Sequence, residues 1–191
     1  LVLVFVLLGL TLRVDAILTE TSEQPDLVVE VTGFQWQWQF HYPELGITIA
    51  GDPEDPPVLY LPVGRTIRFE LLAEDVIHSF WVPEFLEKRD MIPGVVNEIE
   101  VTVDRPGTWV GRCAEYCGLN HWQMWFDVNA VAAPQFDTWA TVTATQPQPV
   151  VQGRAQITTS TSSTAVPVTT PPPTVSIPPT RPSSTTSTAA P

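Results

Sequence analysis

Short apolar runs rich in β-branched and aromatic residues recur between Leu27 and Val128, separated by glycine, proline and acidic clusters. That rhythm predicts strands joined by tight connections rather than helices. Leu27 to Thr32 is one such run. Phe34 to Phe40 alternates aromatic and amide residues with period two, the pattern of a strand with one buried face, and Gly33 is expected to bend the chain between the two. Leu45 to Ala50 and Val58 to Leu61 flank an acidic, proline-rich loop from Gly51 to Pro57. Thr66 to Leu72 places Ile67, Phe69 and Leu71 on one face, and runs at 96–103, 108–112 and 123–128 complete the set. Such a series implies an all-β sandwich or barrel.

The two ends follow other patterns. The chain opens with twelve uncharged residues, Leu1 to Leu12, followed by Arg13. A bilayer span takes about twenty residues, and a signal peptide would carry its basic residue before the apolar run. Residues 1–17 are therefore read as the C-terminal part of a transmembrane helix whose start precedes Leu1. Residues 18–141 form the folded domain in this reading. Past Trp139 the composition shifts: of the 50 residues from 142 to 191, 30 are Ser, Thr or Pro, and none is aromatic or acidic. That segment has too little apolar surface to offset its chain entropy and is expected to be a disordered tail.

Net charge is -12 at pH 7, from 21 acidic and nine basic side chains. The scarcity of Lys and Arg excludes a nucleic-acid partner, because phosphates call for basic clusters. A basic protein partner fits instead, with Glu44, Asp52, Glu54, Asp55 and Glu84 as candidates for the docking face.

The chemistry is concentrated in one stretch, Cys113-Ala-Glu115-Tyr-Cys117-Gly-Leu-Asn-His121-Trp-Gln-Met124. It holds both cysteines of the chain, one of three histidines and one of two methionines. Thiolate, imidazole and thioether donors so close together suit copper. His78, in the segment Glu74 to Pro83, supplies a second imidazole from elsewhere in the chain. Two cysteines alone are also compatible with a disulfide or with a share of a zinc site. No Cys-x-x-Cys-His haem-attachment motif is present.

At these residues a resemblance becomes specific. Cys113 to Met124 resembles the copper-A loop of cytochrome c oxidase subunit II. His78-Ser-Phe-Trp-Val-Pro, with Lys88, Asp90 and Pro93-Gly94, is similar to that family's upstream half-site. Gly33-Phe-Gln-Trp36-Gln-Trp38 resembles its aromatic segment where electrons arrive. The match runs from about Leu1 to Val128.

The resemblance implies a cupredoxin-like Greek-key β-sandwich, with the copper loop between its last two strands and His78 on a neighbouring loop. It implies a binuclear copper-A centre in which Cys113 and Cys117 bridge, His78 and His121 each hold one copper, Met124 ligates weakly and Glu115 contributes its backbone carbonyl. The Glu115 side chain would reach a magnesium ion shared with the large subunit. The implied partners are oxidase subunits I and III and cytochrome c as donor, with Trp36 receiving the electron. The setting is the cell membrane, copper domain on the outer side. Related readings on the same loop or scaffold are the copper-A domain of a nitrous-oxide reductase, the copper-free subunit II of quinol oxidases, and a copper-delivery or structural module.

Around the site, Asp75, three residues before His78, is read either as accepting a hydrogen bond that holds the site loop in place, the support metal sites commonly need, or as a solvated loop residue. Met91 is expected to pack beside the site and His41 to be an ordinary polar residue. Arg112 and Glu115 bracket Cys113, and family analogy places them toward the catalytic subunit.

Overall fold

The computed structural model describes residues 1–19, 21–52 and 54–150; residues 151–191, most of the expected tail, lie outside the described residues. The first helix, α1 (Val2–Thr19), outruns the uncharged stretch and continues through Arg13 and Asp15. Among the described residues no helix is long and apolar enough to cross a membrane.

Among the described residues ten strands follow: β1 (Leu27–Phe34), β2 (Gln37–Tyr42), β3 (Ile47–Ala50), β4 (Val58–Pro62), β5 (Thr66–Ala73), β6 (His78–Val82), β7 (Glu87–Met91), β8 (Asn97–Thr102), β9 (Gly107–Cys113) and β10 (Trp125–Val131). A closing helix, α2, covers Ala133–Thr143. One sheet has the order β3-β2-β1-β5-β8 and the other β4-β10-β9-β6-β7. Pairing is antiparallel except for β1 with β5 and β10 with β4. The expected all-β sandwich is therefore present.

The two inner faces meet in an aromatic core. Phe126 of β10 lies at its centre, edge-on to Trp38 at 5.1 Å and to Phe40 at 5.1 Å, and stacked on Phe80 at 5.3 Å. Such pairs add to the stabilisation that ring burial already supplies. Gly111 sits opposite Phe126 in the β9–β10 register, and a Cβ there would fall 2.0 Å from the ring. The missing side chain is what lets the ring reach the centre.

Three local features differ from the sequence expectation. The strand expected over 34–40 is broken at Gln35-Trp36, which turn the chain so that Phe34 pairs with Gln37 and Gly33 with Trp38. The aromatic–amide alternation runs through the turn unbroken, but a two-residue turn pairs i with i+3, so the inward face passes from odd positions in β1 (Val29, Val31) to even positions in β2 (Trp38, Phe40). Gly33 consequently lies within β1 and does not separate two strands. β7, the charged Glu-Lys-Arg-Asp-Met run, is an edge strand, where charge discourages pairing with other chains and apolar alternation is weak. His78 is the first residue of β6, not part of a loop.

α2 starts with Pro134 in its first turn, a position where the missing N–H costs nothing. It buries Phe136 and Ala140, stacks Trp139 on Tyr60 at 4.6 Å, and pairs Asp137 with Arg65 at 2.9 Å. Beyond it, Gln148 Oε1 accepts from the Thr48 N–H of edge strand β3, and Gln39 Nε2 donates to the Val150 carbonyl.

Candidate metal centre

Three segments meet at one end of the sandwich: the β5–β6 connection, the loop between β9 and β10, and the β1–β2 turn. β9 delivers Cys113 as its last residue, next to Phe80 in the β6 register. The loop then departs and returns, with Cys113 N–H bonding the Met124 carbonyl at 2.9 Å and Ala114 N–H the Ser79 carbonyl at 3.0 Å. A short helical turn at His121–Gln123 tightens its second half. Both ends are thus pinned to sheet, which holds the side chains between them in place.

The sequence-predicted donors converge there. Cys113 and Cys117 Sγ are 3.8 Å apart and both thiols are buried and free. A disulfide needs about 2.05 Å, so this is not one. Thiolates sharing an ion at metal–sulfur distances of about 2.3 Å are separated by at most about 4.6 Å, and the observed gap lies inside that limit. His78 Nδ1 is 3.8 Å from Cys113 Sγ, and His121 Nδ1 is 3.5 Å from Cys117 Sγ. Met124 Sδ lies 3.8 Å from Cys117 Sγ, and the Glu115 carbonyl 3.2 Å from Cys113 Sγ. Each sulfur therefore has one imidazole nitrogen beside it, His78 at Cys113 and His121 at Cys117. Two soft thiolates, two imidazoles, a thioether and a peptide carbonyl are the donor chemistry copper prefers.

His78, Cys113 and Cys117 form a compact, buried three-residue group. His121 is half-buried and the Glu115 side chain points to solvent.

His78 is fixed on several sides. Its Nε2 is 2.8 Å from Asp75 Oδ1, leaving Nδ1 to face the sulfurs. Its ring lies against Gly33, where a Cβ would come within 3.3 Å of Cγ. Met91 stands opposite it in the β6–β7 register, fully buried. Asp75 also accepts from the Gln35 and Val76 N–H groups, each at 2.7 Å. Burial would raise the Asp75 carboxyl, but these hydrogen bonds outweigh it and hold the group below the usual range. For Cys113, burial pushes the thiol up, yet the His78 imidazole and neighbouring backbone bring it down to about 7. Cys117 is pushed up to about 12, first by burial and then by the negative charge on Cys113.

Trp36 is half-buried beneath the loop, with Nε1 donating to the Cys117 carbonyl at 3.3 Å. Gln35 Nε2 donates to the same oxygen at 2.7 Å. Sequence reasoning missed Gln35; its only signal is adjacency to Trp36. Trp38, by contrast, is core. His41 lies away from the cluster, bonded to Thr48 Oγ1 at 3.0 Å. Lys88 pairs with Asp90 at 2.6 Å and reaches Ser79 Oγ at 3.1 Å, tying β7 to the residue after His78.

Comparison with known proteins agrees with this geometry. Residues 54–131 match the family described as cytochrome C oxidase subunit II, periplasmic domain. A probable cytochrome c oxidase subunit 2 from Streptomyces avermitilis is 37% identical over 174 residues, covering 71% of this chain and 54% of that protein. Cytochrome c oxidase subunit 2 of Alkalihalophilus pseudofirmus is 42% identical over 111 residues, covering 58% of this chain and 31% of that one. Among solved structures, the periplasmic domain of subunit II of the Bradyrhizobium japonicum cytochrome oxidase superposes with a TM-score of 0.59 at 29% identity, covering 64% of this chain and 96% of that one. The chain spans about half the length of the Streptomyces relative it matches.

Proposed function

Since the chain belongs to the cytochrome c oxidase subunit II family, we propose that its described domain is the electron-accepting unit of a respiratory oxidase. It takes single electrons from a cytochrome c and passes them to haem in subunit I, where oxygen is reduced. The observation that carries this reading is the sulfur pair 3.8 Å apart with an imidazole Nδ1 at 3.8 Å from one sulfur and 3.5 Å from the other. Two thiolates, two imidazoles, a thioether and a carbonyl are more donors than a single copper ion uses, so the set favours a binuclear copper-A centre.

In this assignment the Cys113 and Cys117 thiolates, the His78 and His121 imidazoles, the Met124 thioether as the weakest donor and the Glu115 carbonyl would hold the copper. When bound, the copper pair supplies a one-electron couple whose charge change is shared over two nuclei. The protein contributes rigidity. His78 is braced by Asp75 and Gly33, Cys113 is the end of a strand, and the loop is bonded to β6 and to itself. A site held in place before and after electron arrival needs little rearrangement, the general advantage of a preorganised frame. Burial of both thiols keeps water from the sulfurs.

Trp36 is the receiving side chain, because its indole bonds directly to the peptide of Cys117. Around it, Tyr116 and Trp122 of the loop are 76% and 74% exposed and Leu119 is 81% exposed, an apolar rim of the kind that marks an interaction site. The acidic excess elsewhere on the domain attracts a cationic cytochrome. The exposed Glu115 carboxylate faces subunit I and reaches a magnesium ion there. The domain sits on the outer side of the cell membrane, beside subunits I and III.

The test is copper stoichiometry with electron paramagnetic resonance on the copper-reconstituted chain. Two coppers per chain with hyperfine splitting shared equally by both nuclei is the expected result. One copper per chain, or a Cys113–Cys117 disulfide without metal, would sink the assignment.

A further inference from the structure

We infer that Gln35 is a latch joining the Trp36 turn to both halves of the metal centre, a positioning role that rests on the copper-A reading above. One residue makes two kinds of contact. Its side-chain Nε2 donates to the Cys117 carbonyl at 2.7 Å, on the His121 side of the sulfur pair. Its backbone N–H donates to Asp75 Oδ2 at 2.7 Å, and the other oxygen of that carboxylate is 2.8 Å from His78 Nε2. The turn is also held by Glu74 N–H bonding the Gly33 carbonyl at 3.1 Å.

The Cys117 carbonyl has two lone pairs, and Gln35 Nε2 and Trp36 Nε1 occupy them together. The chain is shaped to allow this approach. Gly118, the next residue, has φ of +121°, and a Cβ there would lie 3.1 Å from Gln35 Nε2 and 3.2 Å from Trp36 Cζ2. A side chain at 118 would crowd both donors and force them to give slightly, and the backbone conformation itself favours glycine.

Two consequences follow. The paired donors draw electron density from the peptide next to a bridging sulfur, and hydrogen bonding around a copper thiolate is a known lever on reduction potential. They also hold the Trp36 indole at hydrogen-bond distance from that peptide, so a partner pressing on the turn meets a fixed receiver. A glutamine that merely touched the donor would affect encounter alone. A latch affects the metal centre even when no donor is present.

The test uses the full chain with Gln35→Glu, which keeps the shape but at neutral pH offers only acceptors to the carbonyl, and Gln35→Leu, which removes the polar end. In the metal-free chain, the Trp36 indole N–H resonance, assigned through Trp36→Phe, is expected to shift and to exchange faster in both variants. In the copper-loaded chain, the copper absorption and hyperfine pattern shift. The limiting rate of reduction by ferrocytochrome c falls about 10- to 100-fold, as for other groups supporting metal ligands, with the half-saturating donor concentration nearly unchanged. An indole resonance and copper spectrum identical to wild type, or an effect confined to the half-saturating concentration, would overturn the latch. If wild type shows no two-copper signal, the copper-A reading fails instead, and the indole resonance of the metal-free chain still decides whether Gln35 holds Trp36.

Discussion

The two cysteines are chemically unlike, although they lie four positions apart on one loop. Cys113 faces the His78 imidazole, which outweighs burial and brings its thiol down to about 7, while burial and the adjacent anion push Cys117 up to about 12. Ultraviolet titration of the metal-free chain should therefore show one thiolate forming near pH 7 and the second only in strong alkali. Equal titration of both near the ordinary thiol range would remove the His78–Cys113 contact from the account. The stability signs oppose each other. Cys113, with its folded value lowered, contributes stability that is complete above the unfolded thiol value and is lost as pH falls through about 7. Cys117, with its value raised, contributes stability that is complete below the unfolded value and is lost as pH climbs toward 12. In the proposed copper assignment, metal loading would need both thiolates, so it should release protons at neutral pH, chiefly from Cys117, and weaken as pH falls.

At the scale of elements, the site depends on strands that the pattern revealed unevenly. β5 and β10 were legible because Ile67, Phe69 and Leu71, and Phe126 and Val128, alternate with polar neighbours. β7 was not, because an edge strand carries charge where a central strand carries apolar side chains. The Gln35-Trp36 turn was hidden because the alternation of residue types continues across it, although the turn moves the inward face from odd positions in β1 to even ones in β2. The β9–β10 ladder is the element most exposed to a single change. Gly111→Ala places a methyl within 2.0 Å of Phe126, and the ring is boxed in by Trp38, Phe40 and Phe80, so it cannot retreat. Overpacking of that kind costs roughly 1–3 kcal/mol and occasionally more. Urea unfolding of the variant should show the loss; wild-type stability would mean that the core is looser than its packing indicates. The same ladder delivers Cys113 and receives the chain after Met124, so copper retention should weaken with it.

For the whole molecule, the folded region from 26 to 137 carries 18 acidic residues against six basic ones. In the proposed function, oriented encounter with a cationic cytochrome would then be faster at low ionic strength. Raising salt from about 0.01 M to 0.15 M shortens the screening length from about 30 Å to about 8 Å. The second-order rate of reduction by cytochrome c should fall across that range while the limiting rate at saturating donor holds. A second-order rate indifferent to salt would show that the apolar rim of Tyr116, Leu119 and Trp122, not charge, captures the donor.

The sequence by itself determined the ingredients: a β-rich chain, an acidic surface, and a donor set in which His78, Cys113, Cys117, His121 and Met124 could be named before any coordinate. These are composition and spacing, and side-chain chemistry does not depend on the fold. Tertiary structure decided what joins what. It placed Asp75 against the far nitrogen of His78, emptied position 33 for the imidazole, and bonded Gln35 and Trp36 to a carbonyl more than 80 residues away. Such contacts follow from how two sheets pack and where a turn falls, and no local pattern encodes them, because the groups that meet share neither a strand nor a period.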